Sequence, residues 1–401
     1  MEVDKPFLSF RSTYKITSFF LCIGLIYPHP ETNKRRLAAL VTVTMIPNMM
    51  YVLTDIYRYF ISGDILNLTR HTTIAGPYYG GTLKVRYSIL VYRVNVMQLD
   101  ALIEELSRDY ALYNRLPKSY QDIVQKWIDN SKKYCEQIWI VVVLFAIMTY
   151  PLVNLFLNIK ASFIDENPQR FMIHEVNILF VERENQFESP VFEMYYIYCL
   201  YTAGWFILFY AGYDSLFGIL VDHACLKITV YCKRFEDAIK IRDERSRIQK
   251  VTDVIKEQKR LFQYLELLQS NYNIYLGTML FAALLQIGTC LYHVSESEDL
   301  DLPFLSIAMG SICCVYIPCF YSSKLKHVSL ESATSFYSSG WENVNCAKTR
   351  KILLFMIARA QVSVLMDRNF NNASTPKFRF RFHVQYSTEL RYFQSMPFQN
   401  T

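Results

Sequence analysis

Five stretches of this chain carry no charged residue: 37–54, 137–159, 194–213, 267–295 and 302–323. A helix rises ~1.5 Å per residue, so ~20 apolar residues cross a hydrocarbon layer ~30 Å thick. Soluble core helices are usually shorter and keep one polar face. The runs therefore dictate an all-α membrane protein. The apolar share of the chain, 52%, would also fit a greasy soluble protein. Its concentration into long runs excludes one.

Charge sets the orientation, because Lys and Arg accumulate on the cytoplasmic side. Residues 161–190 hold six acids against Arg170 and Arg183, and 293–303 hold Glu296, Glu298, Asp299 and Asp301 without a Lys or Arg. Both read as outside. Residues 223–262 contain eleven Lys and Arg and read as inside. Five spans with an outside N-terminus satisfy these loops but leave Lys34, Arg35 and Arg36 outside. Seven spans with the N-terminus inside remove that conflict. They need a second helix near 67–99, interrupted by Lys84, Arg86 and Arg93, whose long side chains would snorkel to the inner interface. They also need a last helix near the C-terminus. Residues 86–108 and 222–260 read as helices with polar faces that extend inward.

Composition removes several function classes. The net charge of +6 arises from basic residues beside apolar runs, which argues against nucleic acid. The ten cysteines lack metal-ligand spacing, and most, such as Cys313, Cys314 and Cys319, sit in apolar runs as small hydrophobes. Residues 19–27 are apolar but lack a cleavage site, so no cleaved signal peptide is expected. His71, His174, His223, His293, His327 and His383 are scattered, and no catalytic constellation emerges. No enzyme activity, metal or cofactor is expected.

Three features invite a functional reading. Asp214 ends an apolar run, yet it follows Glu193 by about 30 Å of helix, which puts it in water at the inner interface. The fourth span carries Tyr195, Tyr196, Tyr198, Tyr201, Tyr210 and Tyr213. These form either an aromatic belt at each interface or the wall of an apolar ligand pocket. Tyr195, Cys199 and Thr202 share one helical face. Asn67-Leu68-Thr69 is a glycosylation sequon that falls outside in the seven-span arrangement, whereas Asn372-Ala373-Ser374 falls inside and reads as accidental.

The C-terminal quarter carries an ordered set of motifs. Cys319-Phe320-Tyr321-Ser322-Ser323 is followed by Glu331-Ser332-Ala333 and by Phe336-Tyr337-Ser338-Ser339-Gly340-Trp341. A basic-apolar helix then runs from Arg350 to Gln361 and ends Arg359-Ala360-Gln361. Near the N-terminus stands Gly24-Leu25-Ile26-Tyr27-Pro28. This set resembles the signature of the insect odorant receptors. Asp-Arg-Tyr and Asn-Pro-x-x-Tyr signatures of G-protein-coupled receptors are missing, and the gustatory pattern survives only as Gln394. A gustatory receptor of the same superfamily is the nearer alternative. No related halves suggest a transporter.

The resemblance implies a cytoplasmic N-terminal segment, 1–33, and a six-helix transmembrane ligand-binding bundle, 34–323. It implies cytoplasmic anchor helices, 324–372, and a pore-lining last helix, 373–401. It implies a receptor in the plasma membrane of sensory neurons that binds small volatile odorants. That receptor gates a non-selective cation channel as a hetero-oligomer, a tetramer, with a shared co-receptor. The short stretch between helices four and five resembles the odour-tuning subunit. Expected ligand-binding residues are Tyr78 and Thr82, Thr149, Val153 and Phe156, Tyr195, Cys199 and Thr202, and Ser306 and Gly310. Expected pore residues are Arg391, Gln394 and Ser395. The tail departs from the family pattern: 373–397 contains Lys377, Arg379, Arg381, His383, Glu389 and Arg391. Each charge at bilayer depth costs ~2.5–3.5 kcal/mol on insertion scales.

Overall fold

A run of apolar residues in lipid must satisfy its own backbone, and helix does this within one segment. The computed structural model, which describes residues 7–24, 26–27, 32–76, 96–164, 170–296, 302–344, 347–361, 366–368 and 380–382, is accordingly almost all helix. Short helices α1 (Phe10–Thr13) and α2 (Lys15–Ile23) precede α3 (Thr32–Ser62). Residues 65–76 form α4. Then come α5 (Val96–Tyr113), α6 (Lys118–Ser131), a π-helical turn (Lys132–Ile138) and α7 (Trp139–Ile164). Three long helices follow: α8 (Val191–Ile239), α9 (Glu244–Glu296) and α10 (Leu302–Tyr337). Helix α11 (Ala347–Gln361) precedes two short antiparallel strands, β1 (Met366–Arg368) and β2 (Phe380–Phe382). β2 lies in the segment for which the sequence suggests a pore helix.

Among the described residues, five segments are long and apolar enough to cross a membrane: Ala39–Ser62, Lys118–Phe163, Val191–Ile239, Tyr275–Glu296 and Phe304–Tyr337. Their outward faces carry exposed Phe145, Phe156, Ile197, Phe281 and Tyr316. Such surface is an aggregation liability in water and ordinary in lipid. The chain is an all-α, multi-pass membrane protein.

The chain divides into two units: Met1–Leu220 with Ile274–Phe320, and Val221–Asn273 with Tyr321–Thr401. In the second unit, the basic stretch predicted as cytoplasmic is a pair of helices joined by residues 240–243. Asp243 caps α9 by accepting the Ser246 hydroxyl and, at 2.9 Å, its backbone N–H; these bonds, the hydroxyl's foremost, hold its carboxyl below the usual range. Lys324 donates to buried Asp222 at 2.7 Å, and Tyr231 and Phe235 pack on Phe336. Gly340 breaks the chain after α10 at φ +80°, a conformation a side chain would strain. On α11, Leu353 and Met356 are buried, while Leu354 and Phe355 are exposed.

In the first unit, α1 and α2 are tied down by polar contacts. Asn114 Nδ2 donates to the Phe7 carbonyl at 2.7 Å, and the Tyr14 and Tyr110 hydroxyls lie 3.0 Å apart. Glu136, buried in the π-helical turn, accepts the Thr17 backbone N–H at 2.8 Å. Replacing Glu136 by Ala strands that buried donor, at a cost of about 1–3 kcal/mol. We expect a lower midpoint of thermal unfolding in detergent and faster proteolysis before residue 24, with Glu136→Gln, which keeps an acceptor, restoring most of the loss. An unchanged midpoint in Glu136→Ala would contradict this docking.

Candidate functional site

Small residues on three helices of the first unit leave a space that their neighbours do not fill. Ala146 on α7, Ala282 and Ala283 on α9, and Gly310 on α10 line a cavity of about 70 Å³. A water needs roughly 10–15 Å³ by the same kind of measure, so the space exceeds a single solvent site. Its other walls are Gly76 of α4, Trp139, Val142, Val143 and Ile147 of α7, Tyr210 of α8, Met279 and Gln286 of α9, and Ile307, Ser311 and Cys314 of α10. At its edge α7 and α10 approach closely: a Cβ on Gly310 would lie 2.8 Å from the Ala146 Cβ. Small residues permit such contacts between membrane helices.

The lining is apolar and aromatic with a few fixed polar groups, the composition typical of small-molecule sites. The Trp139 indole N–H donates to the Tyr210 carbonyl at 3.2 Å. Gln286 Nε2 donates to the Thr73 carbonyl at 3.1 Å, and the Ser311 hydroxyl donates to the Ile307 carbonyl at 2.8 Å. A smaller cavity of about 20 Å³ shares Trp139, Met279 and Cys314 and adds Asp214, Phe217 and Tyr275. The Tyr275 hydroxyl donates to Asp214 there. Asp214 is thus half-buried beside a tyrosine, not simply solvated as its sequence position suggests.

Tyr195, Cys199 and Thr202 occupy different surroundings. Tyr195 and Cys199 belong to a packed cluster with Val52, Ala75, Met172, Ile173 and Val176. Tyr195 donates to buried Asn48 at 2.9 Å, and Thr202 donates to the Cys199 carbonyl at 2.8 Å. The tyrosine stripe also bonds to helix backbone near two prolines. Pro47 cannot donate within α3, and in that turn the Tyr198 hydroxyl donates to the Thr44 carbonyl at 2.6 Å. Tyr196 donates to the Pro151 carbonyl of α7 at 3.0 Å.

Of the sequence candidates, Gly310 lies on the cavity wall. Ser306 is buried on α10, Thr149 and Val153 are half-buried on α7, and Phe156 is exposed. Tyr78, Thr82, Arg391, Gln394 and Ser395 lie outside the described residues. Asn67 Nδ2 donates to Asp64 Oδ2 at 2.7 Å near the start of α4. Trp139, Ala146, Tyr210, Ala283, Gln286 and Ser311 also line the cavity and are not among those candidates. A usable signal was present in Gln286, an amide deep in an uncharged run beside two alanines.

The segment between α7 and α8 covers the cluster. Asn177 donates to Asp55 from both its backbone N–H and its Nδ2, each at 2.7 Å, and the Asp55 side chain is fully buried. The His71 and His174 rings lie 5.7 Å apart, Tyr59 stacks on His71, and Arg70 reaches Glu175 at 3.5 Å. His174 is buried, and its Nε2 has no hydrogen-bond partner among the described residues.

Comparison with known proteins places this architecture. The sequence model described as "7tm Odorant receptor" matches residues 86–374. Among solved structures, the insect olfactory receptor OR5 from Machilis hrabei in complex with eugenol superposes with a TM-score of 0.68 at 16% identity, covering 88% of this chain and 91% of that one. The structure of OR5 described without eugenol gives a TM-score of 0.69 at 15% identity, covering 88% and 89%. At that identity the likeness establishes the fold.

The His174 environment generates a pH dependence. Burial, with like charge from His71 and Arg70 adding to it, holds the His174 imidazole well below its usual value of 6.5. The folded state therefore favours the neutral ring. Its packing is intact above the ordinary histidine range and weakens as pH falls through that range. Amide exchange in residues 171–178 should lose protection below that range, and His174→Leu should weaken the pH dependence, the neighbouring buried His71 contributing the rest. Equal protection on both sides in the wild type would contradict this account.

Proposed function

The chain belongs to the odorant receptor family, and from that premise we propose that it is an odour-tuning subunit of a ligand-gated cation channel. The observation that carries the reading is the 86–374 match to the family together with the apolar cavity of the first unit. The cavity receives a small volatile molecule. Burial of apolar ligand surface at ~25 cal/mol per Å² supplies the affinity. The OR5 complex with eugenol shares the fold and supports a small organic ligand here too.

Seven spans with the N-terminus inside remain the arrangement that best fits the charge distribution. In it, the segment 170–190 faces outward and the basic helices of the second unit face the cytoplasm. Leu354 and Phe355, exposed on a helix too short to span, suit contact with a neighbouring subunit. We take that neighbour to be a shared co-receptor, in a hetero-oligomer, and the location to be the plasma membrane of sensory neurons. The segment 373–401 is assigned to the pore by family resemblance, with Arg391, Gln394 and Ser395 as candidate lining residues.

Two measurements test the reading. Expressed alone, the chain should give little current; with the co-receptor it should give odour-evoked cation current that persists when G-protein signalling is blocked. Current lost under that block would favour a G-protein-coupled mechanism instead. An N-terminal epitope tag should be reached by antibody only after permeabilisation, and Asn67→Gln should remove a glycan. Labelling of the tag in intact cells would reject the orientation.

A further inference from the structure

We propose that the cavity selects compact molecules bearing a hydrogen-bond donor, a hydroxyl foremost, over isosteres that only accept. The inference rests on the cavity being the odour site. The polar groups of its wall carry the argument. The Trp139 indole N–H is committed to the Tyr210 carbonyl, and the Ser311 hydroxyl to the Ile307 carbonyl one turn back on its own helix. One amide N–H of Gln286 is committed to the Thr73 carbonyl. Among the described residues, the lone pairs of Gln286 Oε1 and Ser311 Oγ remain as acceptors.

The orientation of the Gln286 amide is fixed physically. Turning it over would set Oε1 against the Thr73 carbonyl, two acceptors facing each other. Gly76 keeps the amide in its place. A Cβ there would stand 2.9 Å from Gln286 Cδ and 3.0 Å from Oε1, so any side chain would displace the group. A ligand hydroxyl therefore meets two acceptors. Of the Trp139, Ser311 and Gln286 donors, a ketone or ether finds the second Gln286 N–H, or must break a bond the protein already makes. The hydrocarbon remainder of either ligand sees the same apolar wall, so the difference lies in the one polar contact.

The test uses the receptor co-expressed with its co-receptor and sets of volatiles sharing one skeleton: a secondary alcohol, the matching ketone and the methyl ether. In the wild type the alcohol should act at about tenfold lower concentration, the value of one hydrogen bond. Gln286→Met combined with Ser311→Ala should bring the three to one potency. Gly76→Ala, which displaces the amide, should narrow the gap. Equal potency in the wild type, or an alcohol preference that survives the double variant, overturns the proposal. If the double variant fails to reach the surface, the wild-type series and Ser311→Ala alone decide. If no volatile evokes current, the channel reading fails separately. Quenching of Trp139 fluorescence in the purified complex, with Trp139→Phe as control, then tests the inference by itself. Tighter binding of the alcohol than of the ether supports it, and equal or absent binding overturns it.

Discussion

A backbone polar group without a partner in hydrocarbon costs several kcal/mol, and the rest of this structure follows from that constraint. It turns each uncharged run into helix. It also explains why several polar side chains inside the first unit come in pairs. Asn48 meets Tyr195, Asp214 meets Tyr275, and Gln286 meets the Thr73 carbonyl. Tyrosines of α8 also donate to backbone of neighbouring helices, Tyr198 to the Thr44 carbonyl and Tyr196 to the Pro151 carbonyl. In the structure this stripe hydrogen-bonds to neighbouring helices.

Where side chains are large they close the interior, and where they are small it stays open. Around Tyr195 and Cys199 the neighbours are bulky and the space is filled. Around Ala146, Ala282, Ala283 and Gly310 it is not. A cavity lined by apolar atoms has few competing water contacts, so a small hydrophobic guest gains both burial and dispersion contacts. The few polar atoms at its wall then act on orientation and selectivity more than on total affinity.

Much of the fold was legible in the sequence because charge exclusion over ~20 residues is a strong local signal. The family was legible too, from the Cys319–Gln361 motif series. The site was less so. Helical spacing grouped Tyr195, Cys199 and Thr202 correctly on one face, but spacing cannot tell a face that meets bulky neighbours from one that meets small ones. That distinction depends on which residues of α7, α9 and α10 oppose each other. Gly310 entered both views because a glycine marks close approach from either side. Asp214 was assigned to water from its depth along α8 alone, and its partner Tyr275, 61 residues away, left no local trace.

The central claim is that a small apolar ligand enters the Ala146–Ala283–Gly310 cavity. Photolabelling the assembled receptor with a diazirine-bearing volatile, followed by peptide mapping, addresses it most directly. The account predicts adducts within 139–147, 279–286 and 307–314, competed away by the parent odour. Adducts confined to 195–202, or labelling that the odour does not compete, would contradict it.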